Sequence, residues 1–267
     1  MSVLKRNSVS IHGAGDRTLV FAHGFGCDQN MFRLLAPQYS ARYKTVTFDH
    51  VGSGRSDLSA YDRKKYGSLD GYASDLLEVI DAVADSPVVL VGHSVSAMIG
   101  LLAGIRSPEK FAGHIMLGPS PCYINDDTYV GGFDRADIDS LLETLEANYL
   151  GWAGSMAPAI MGAPEQPQLA DELTASFCRT DPEIAKQFAR VTFTADNRAD
   201  LDKLTAPVLI VQSTDDFVAP LVVGQYLKAH LPHAMLRVVD NTGHCPHLSV
   251  PGASAQAMDE FLASIDY

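Results

Sequence analysis

Basic residues are scarce in this chain. Lysine and arginine number 20 against 32 aspartate and glutamate residues, for a formal net charge of −12. The longest basic cluster is Arg63-Lys64-Lys65. An acidic chain without a basic stripe lacks the electrostatic footprint of a nucleic-acid or anionic-membrane binder. Cysteine is also sparse. Cys27, Cys122, Cys178 and Cys245 are far apart and form no Cys-x-x-Cys pair, which points to reduced thiols in a cytoplasmic protein rather than a disulfide framework. The first residues, Met1-Ser2-Val3-Leu4-Lys5-Arg6-Asn7, lack the apolar core of a signal peptide. The one apolar window of membrane-spanning length runs from Pro87 to Ile105. Gly92, His93, Ser94 and Ser96 interrupt it, so it reads as a strand followed by a helix. There is no His-Glu-x-x-His pair for a metal and no Walker loop for a nucleotide. Repeats, low-complexity tracts and coiled-coil heptads are absent too, and a monomer is the expected state.

What is present is a soluble, globular composition: 267 residues, 46 % hydrophobic. A chain of this length fits one large α/β domain and buries roughly three quarters of its unfolded surface. Short apolar strands are expected at 8–12, 18–22, 43–48, 87–91, 114–117, 207–212 and 235–239. Helical spacing appears at 69–84, with Ser68 as N-cap, and at 97–105, 222–230 and 253–263. Strands alternating with helices imply a mostly parallel sheet covered on both faces. From about 125 to 204 the rhythm breaks. Four helical patterns (138–149, 152–161, 169–178 and 182–193) stand between two core strands, as an inserted lid would. Phe133, Trp152, Phe177, Phe188 and Phe193 give it bulk. Most of these are expected to pack the insertion onto the core, and a few to face the gap beneath it.

The run Val88-Val89-Leu90-Val91-Gly92-His93-Ser94-Val95-Ser96-Ala97 carries the chemistry. A β-branched strand feeds a serine, and an Ala/Met/Leu helix follows. Such a turn pushes the serine hydroxyl out over the end of a parallel sheet. The pattern is Gly-x-Ser-x-Ser where a glycine is usual at the last position. A serine hydroxyl needs a base, and the base needs an orienting acid. In this architecture both come later in the chain, acid first. Asp215 and Asp216 follow the strand at 207–212. Asp216 is preferred, because Pro220 four residues on marks the next helix start. His244 follows 28 residues later, a spacing that fits one helix and one strand. His247 is a nearby decoy, His93 reads as structural and His23 as a loop-shaping hydrogen bonder. His12, His50, His114, His230 and His233 have no supporting motif. A tetrahedral intermediate needs two N–H donors. Val95, after the serine, is one candidate. Phe25, in the glycine-rich loop His23-Gly24-Phe25-Gly26, is the other. The turn Asp49-His50-Val51-Gly52-Ser53-Gly54-Arg55-Ser56 lacks the Gly-Lys-Ser/Thr ending of a phosphate loop and reads as structural.

These motifs carry a resemblance. With His23-Gly24-Phe25-Gly26-Cys27-Asp28-Gln29-Asn30, Leu69-Asp70-Gly71-Tyr72-Ala73, Gly118-Pro119-Ser120-Pro121-Cys122-Tyr123, Asn148-Tyr149-Leu150-Gly151-Trp152 and Gly243-His244-Cys245-Pro246-His247, the chain resembles the α/β-hydrolase superfamily over nearly its whole length. Within it, the chain is similar to the RsbQ-like group, which includes a bacterial stress-response hydrolase and the plant strigolactone and karrikin receptors. Ser96 is itself a variant of that group. The resemblance implies a Ser94–His244–Asp216 triad, oxyanion donors at Phe25 and Val95, and a four-helix lid. It implies an apolar pocket lined by Phe25, Tyr123, Phe133, Trp152 and Phe193. It implies slow hydrolysis of small esters or lactones without metal or organic cofactor, or ligand sensing that regulates a partner protein. The same fold also supports haloperoxidase and C–C hydrolase chemistry. A closed pocket of a few hundred Å³ would fit a small ligand, whereas an open groove would argue against that reading.

Overall fold

The computed structural model describes residues 2–267. Seven strands form one sheet in the order β1-β3-β2-β4-β5-β6-β7. They are β1 (Ser10–His12), β2 (Thr18–Ala22), β3 (Lys44–Phe48), β4 (Val88–His93), β5 (Phe111–Leu117), β6 (Val208–Asp215) and β7 (Ala234–Thr242). Only β1 runs antiparallel to its neighbour; every other pairing is parallel. Parallel strands need crossovers, and helices supply them. The helices are α1 (Val3–Arg6), α2 (Leu69–Val83), α3 (Val95–Arg106), α4 (Arg135–Ala147), α5 (Tyr149–Met161), α6 (Pro167–Arg179), α7 (Pro182–Phe193), α8 (Leu221–His230), α9 (Pro246–Ser249) and α10 (Pro251–Ser264).

The central strands read as unbroken apolar runs because both faces are covered. All residues of β2 and β4 are buried. Alternate side chains feed two cores. Val20, Val46, Leu90, Met116 and Ile210 join one core with α2, α3 and the inserted helices. Leu19, Phe21, Val89, Val91, Ile115, Leu117, Leu209 and Val211 join the other with Phe32, Tyr39 and α10.

The sheet order reverses direction at β2. The chain leaves β2 for β3 on one side, then returns to place β4 on the other. The loops after β2 and β4 therefore part and leave a crevice at the strand C-termini, where open α/β sheets hold their sites.

Between β5 and β6 stand α4 to α7, with no strand among them. Helix α4 packs on α5 and α7, and α5 on α6. Their starts are capped locally. Asp134 and Asp137 form a reciprocal capping box on α4, the Asn148 side-chain Oδ1 accepts from Gly151 N–H at 3.0 Å, and Asp181 caps α7. Ser68 occupies the N-cap of α2 as expected, but its side chain makes no capping bond. Its hydroxyl turns to the Asp70 carboxylate instead, at 3.2 Å. Among the described residues, no helix is long and apolar enough to cross a membrane.

His114 lies in β5 and is 1 % exposed. Both ring nitrogens are buried without a partner, and the ring stacks on Phe111 at 4.7 Å. Burial pushes its pKa down to about 3. The unfolded chain takes a proton on this residue near pH 6.5, whereas the folded chain refuses it down to about pH 3. Stability is therefore lost as pH falls through that window, on the order of 2 kcal/mol from this site between pH 7 and 5. We expect the urea midpoint of His114→Leu to fall less over that interval than that of the unaltered protein. Parallel pH dependences in the two proteins would contradict this.

Candidate active site

The nucleophile candidate stands on a strained turn. Ser94 has φ 55° and ψ −122°, a backbone region that costs a non-glycine residue about 1–3 kcal/mol. The turn is tight enough that a Cβ on Gly92 would lie 2.7 Å from the Ser96 carbonyl oxygen. Only glycine fits there. The turn is held by its neighbours: Ser94 N–H donates to the Leu117 carbonyl at 2.9 Å, across to the end of β5.

The structure brings the three sequence candidates together. His244 Nε2 lies 2.8 Å from Ser94 Oγ. On its other side, His244 Nδ1–H donates to Asp216 Oδ2 at 2.7 Å. Asp216 Oδ1 in turn accepts from Val218 N–H at 2.9 Å and from Ala219 N–H at 3.1 Å. Both carboxylate oxygens are thus occupied, and the side chain cannot swing. Ser94, Asp216 and His244 are all buried. Asp215 is exposed. It contributes its carbonyl, which accepts from Gly243 N–H at 2.7 Å, and so pins the loop that carries His244.

That loop has further anchors that sequence reasoning missed. Asn241 donates to the Gly243 carbonyl at 3.0 Å and to Ser213 Oγ at 2.9 Å. His93 Nε2–H donates to the His244 carbonyl at 2.9 Å, a structural role as expected. His247 is buried against His93, with ring centroids 4.4 Å apart, and has no hydrogen-bond partner. The inserted helices hold the loop as well. His244 N–H donates to the Ile160 carbonyl at 2.8 Å, and Ala163 N–H donates to the Thr242 carbonyl at 3.1 Å.

The cavity beside Ser94 and His244 is apolar and small, about 40 Å³. The volume is below the few hundred Å³ of an ordinary small-ligand pocket, because aromatic rings fill the space. Phe25, Tyr123, Phe133, Trp152 and Phe193 all line it, as do Phe177 and Phe217. Phe25 stands at the centre, its ring 5.7–6.1 Å from those of Trp152, Phe177, Phe188 and Phe193. Four of the five bulky insertion residues line the cavity, and Trp152, Phe177 and Phe193 are at the same time buried in the core, as expected for most of them. Phe188 is the exception and stacks on Tyr72 at 4.5 Å. Tyr123 Oη lies 3.5 Å from Ser94 Oγ, and burial pushes its pKa up to about 12, so it stays a neutral phenol at pH 7. Trp152 Nε1–H and Thr192 Oγ1 are buried without a partner. A larger groove of about 830 Å³ runs past Leu69, Leu142 and Lys186. It is lined by charges of both signs, and none of Ser94, Asp216 and His244 reaches it.

The turn at 49–56 is structural, as its sequence suggested. Asp49 accepts from Arg55 N–H and Gln29 N–H, both at 2.9 Å. Among the described residues, no cluster of His, Cys, Asp and Glu is arranged to hold a metal ion.

Comparison with known proteins agrees with this geometry. The model of the Alpha/beta hydrolase family matches residues 19–257. The chain belongs to the alpha/beta hydrolase family. It is 36 % identical to a strigolactone esterase of Arabidopsis thaliana over 262 residues, covering 98 % of each chain. Against Karrikin insensitive 2 receptor IA of Petunia hybrida it is 36 % identical over 245 residues, covering 91 % of this chain and 89 % of the receptor. Among solved structures, this hydrolase superposes on a hydrolase from Oleispira antarctica with a TM-score of 0.95 and 41 % identity, covering 98 % of this chain and 96 % of that one. The plant relatives are those that the sequence motifs implied.

Gly243 has φ +115°, and a Cβ there would lie 1.9 Å from the Met161 carbonyl oxygen. Backbone faces backbone, so neither side gives way cheaply. Gly243→Ala is expected to lose about 2–4 kcal/mol of stability in urea unfolding. It should also lower any turnover that depends on His244. An unchanged midpoint would count against the packing described.

Proposed function

We propose that this hydrolase is a serine hydrolase of small apolar esters or lactones, working through an acyl-enzyme. The observation that carries the reading is the continuous line Asp216–His244–Ser94, with links of 2.7 and 2.8 Å, at the wall of an apolar cavity. Ser94 Oγ attacks the carbonyl carbon, and its proton passes to His244 Nε2. Asp216 holds His244 in the tautomer that makes Nε2 the base, and stabilises the imidazolium that forms. The N–H groups of Phe25 and Val95 receive the oxyanion. His244 then protonates the leaving alcohol. Water repeats the sequence to release the acid. The residues required are all present without a metal or organic cofactor. The cavity favours short acyl groups. The four inserted helices act as the lid, as the aromatic side chains of α5, α6 and α7 around Phe25 suggest. The free cysteines, three of them buried, suit a reducing, cytoplasmic setting.

A second reading rests on a different observation. The loop that bears His244 is hydrogen-bonded directly to the end of α5. An acyl group or ligand that shifts His244 therefore also shifts the inserted helices. In this reading the chain is a small-molecule sensor that regulates a partner protein, with slow turnover, as the relatives named as receptors suggest. Partner capture that depends on ligand would favour it.

The hydrolase reading is tested with p-nitrophenyl esters. Ser94→Ala should abolish turnover of the acetate, and Asp216→Asn should lower kcat by roughly 10⁴-fold. The octanoate should be turned over at least tenfold less efficiently than the acetate, and Trp152→Ala should narrow that gap. Equal acetate turnover by Ser94→Ala and the unaltered protein would sink the reading.

A further inference from the structure

The oxyanion loop is held by an arrangement that the usual glycine at the end of the serine turn would not allow. Ser96 takes that place, in the first turn of α3, and is fully buried. Its Oγ–H donates to the His23 carbonyl at 2.5 Å. Since the hydroxyl proton is used there, Oγ is an acceptor toward His50, whose Nε2–H lies 2.8 Å away. His50 is itself anchored to the loop: its backbone N–H donates to His23 Nε2 at 3.2 Å. With Nε2 an acceptor, the proton of a neutral His23 sits on Nδ1, which donates to the Gly24 carbonyl at 2.8 Å. Cys27 N–H donates to the same carbonyl at 3.3 Å. The donors and acceptors of the three residues close into one ring, and every direction in it is consistent with neutral imidazoles. Burial lowers the pKa of both histidines and keeps them neutral.

The consequence falls on Phe25. A peptide unit is planar, and its N–H points opposite to its C=O. Fixing the Gly24 carbonyl therefore fixes the direction of the Phe25 N–H. The loop also lies close against the serine turn. A Cβ on Gly24 would meet His93 Nδ1 at 2.6 Å, so small displacements of the loop matter. Residues 94, 95 and 96 thus stand in sequence as the attacking hydroxyl, one N–H donor and the anchor of the other donor.

We propose that Ser96 and His50 are positioning residues for the oxyanion hole: the Ser96 hydroxyl, oriented by His50, clamps the His23–Phe25 loop so that the Phe25 N–H meets the developing oxyanion. The proposal rests on the serine-hydrolase reading. Neither residue touches substrate. Both act through the loop, so their removal should cost transition-state stabilisation and leave ground-state binding intact.

The test uses the full chain with p-nitrophenyl acetate, a short alkyl trifluoromethyl ketone and the alcohol of the same skeleton. Ser94 Oγ adds to the ketone carbon, its proton moves to His244, and the carbonyl oxygen becomes an oxyanion in the hole. The alcohol fills the cavity without forming one. Ser96→Ala is expected to lower kcat by 10- to 100-fold with KM within about twofold, to weaken the ketone by a similar factor, and to leave alcohol binding unchanged. His50→Phe should behave the same way. His50→Gln, which keeps an N–H near the Nε2 position, should recover most of the loss. The double variant Ser96→Ala/His50→Phe should be no worse than either single one. Should Ser96→Ala fold poorly, the His50→Phe and His50→Gln pair carries the same comparison. Unaltered kcat and ketone affinity in Ser96→Ala and His50→Phe would overturn the proposal, as would equal losses for ketone and alcohol. Loss of turnover in Ser94→Ala with full turnover in Ser96→Ala rejects this proposal alone. Full turnover in Ser94→Ala rejects the hydrolase reading and the clamp with it.

Discussion

The turn from β4 into α3 is the constraint on which the rest of the structure depends. It forces Ser94 into a backbone conformation that costs an ordinary residue about 1–3 kcal/mol. That cost is sustained because β4 is fully buried between β2 and β5, and because Ser94 N–H is bonded to Leu117. In return, one short segment brings the Ser94 hydroxyl, the Val95 N–H and the Ser96 hydroxyl, bonded to the His23 carbonyl, to the same crevice. The strands that hold it in place are the most apolar in the molecule. Their stability comes from burial on two faces rather than from anything at the site itself.

Much of this was legible in the sequence, and the reason is locality. Continuous apolar runs give parallel strands away, and β2 begins and ends at the residues its run predicted. Helix α7 likewise spans the stretch from Pro182 to Phe193 that its spacing indicated. Ser94, Asp216 and His244 could be singled out as candidates because each follows a strand end, and chain order is itself a signal in this fold. What was not legible depends on contacts between distant segments. His50 carries no motif, and its contact with Ser96 spans 46 positions. Ser68 looked like a cap from spacing alone, but its hydroxyl found a nearer partner in Asp70. The small volume of the cavity was not legible for a similar reason. Ring positions in an insertion follow from how four helices meet, and no single helix's periodicity contains that.

The inserted helices and the site are joined by backbone as well as by side chains. Thr242 and His244 exchange hydrogen bonds with Ala163 and Ile160 at the end of α5. Gln166 reaches from the following segment to the Ser249 carbonyl at 3.0 Å. Backbone contacts of this kind resist change, because an unpaired buried N–H or C=O costs about as much as the bond it lost. The insertion is therefore part of what positions His244. Movement of α5 away from the sheet would have to break these bonds or draw the histidine away from Ser94.

Phe25 shows the same joining from the opposite wall. Its backbone belongs to the loop after β2, which Ser96 and His23 tie to the sheet side. Its ring belongs to the insertion, in contact with Trp152 of α5, Phe177 of α6, and Phe188 and Phe193 of α7. A ligand entering the cavity must press on that ring cluster, since little free volume is left. The pressure passes to a residue whose own N–H is a candidate for holding the reacting oxygen. Pocket size and hole geometry are thus not independent in this molecule. Under the proposed function, a substrate too bulky for the cavity would be disfavoured by the space it lacks, and also by the displacement it would impose on the Phe25 N–H.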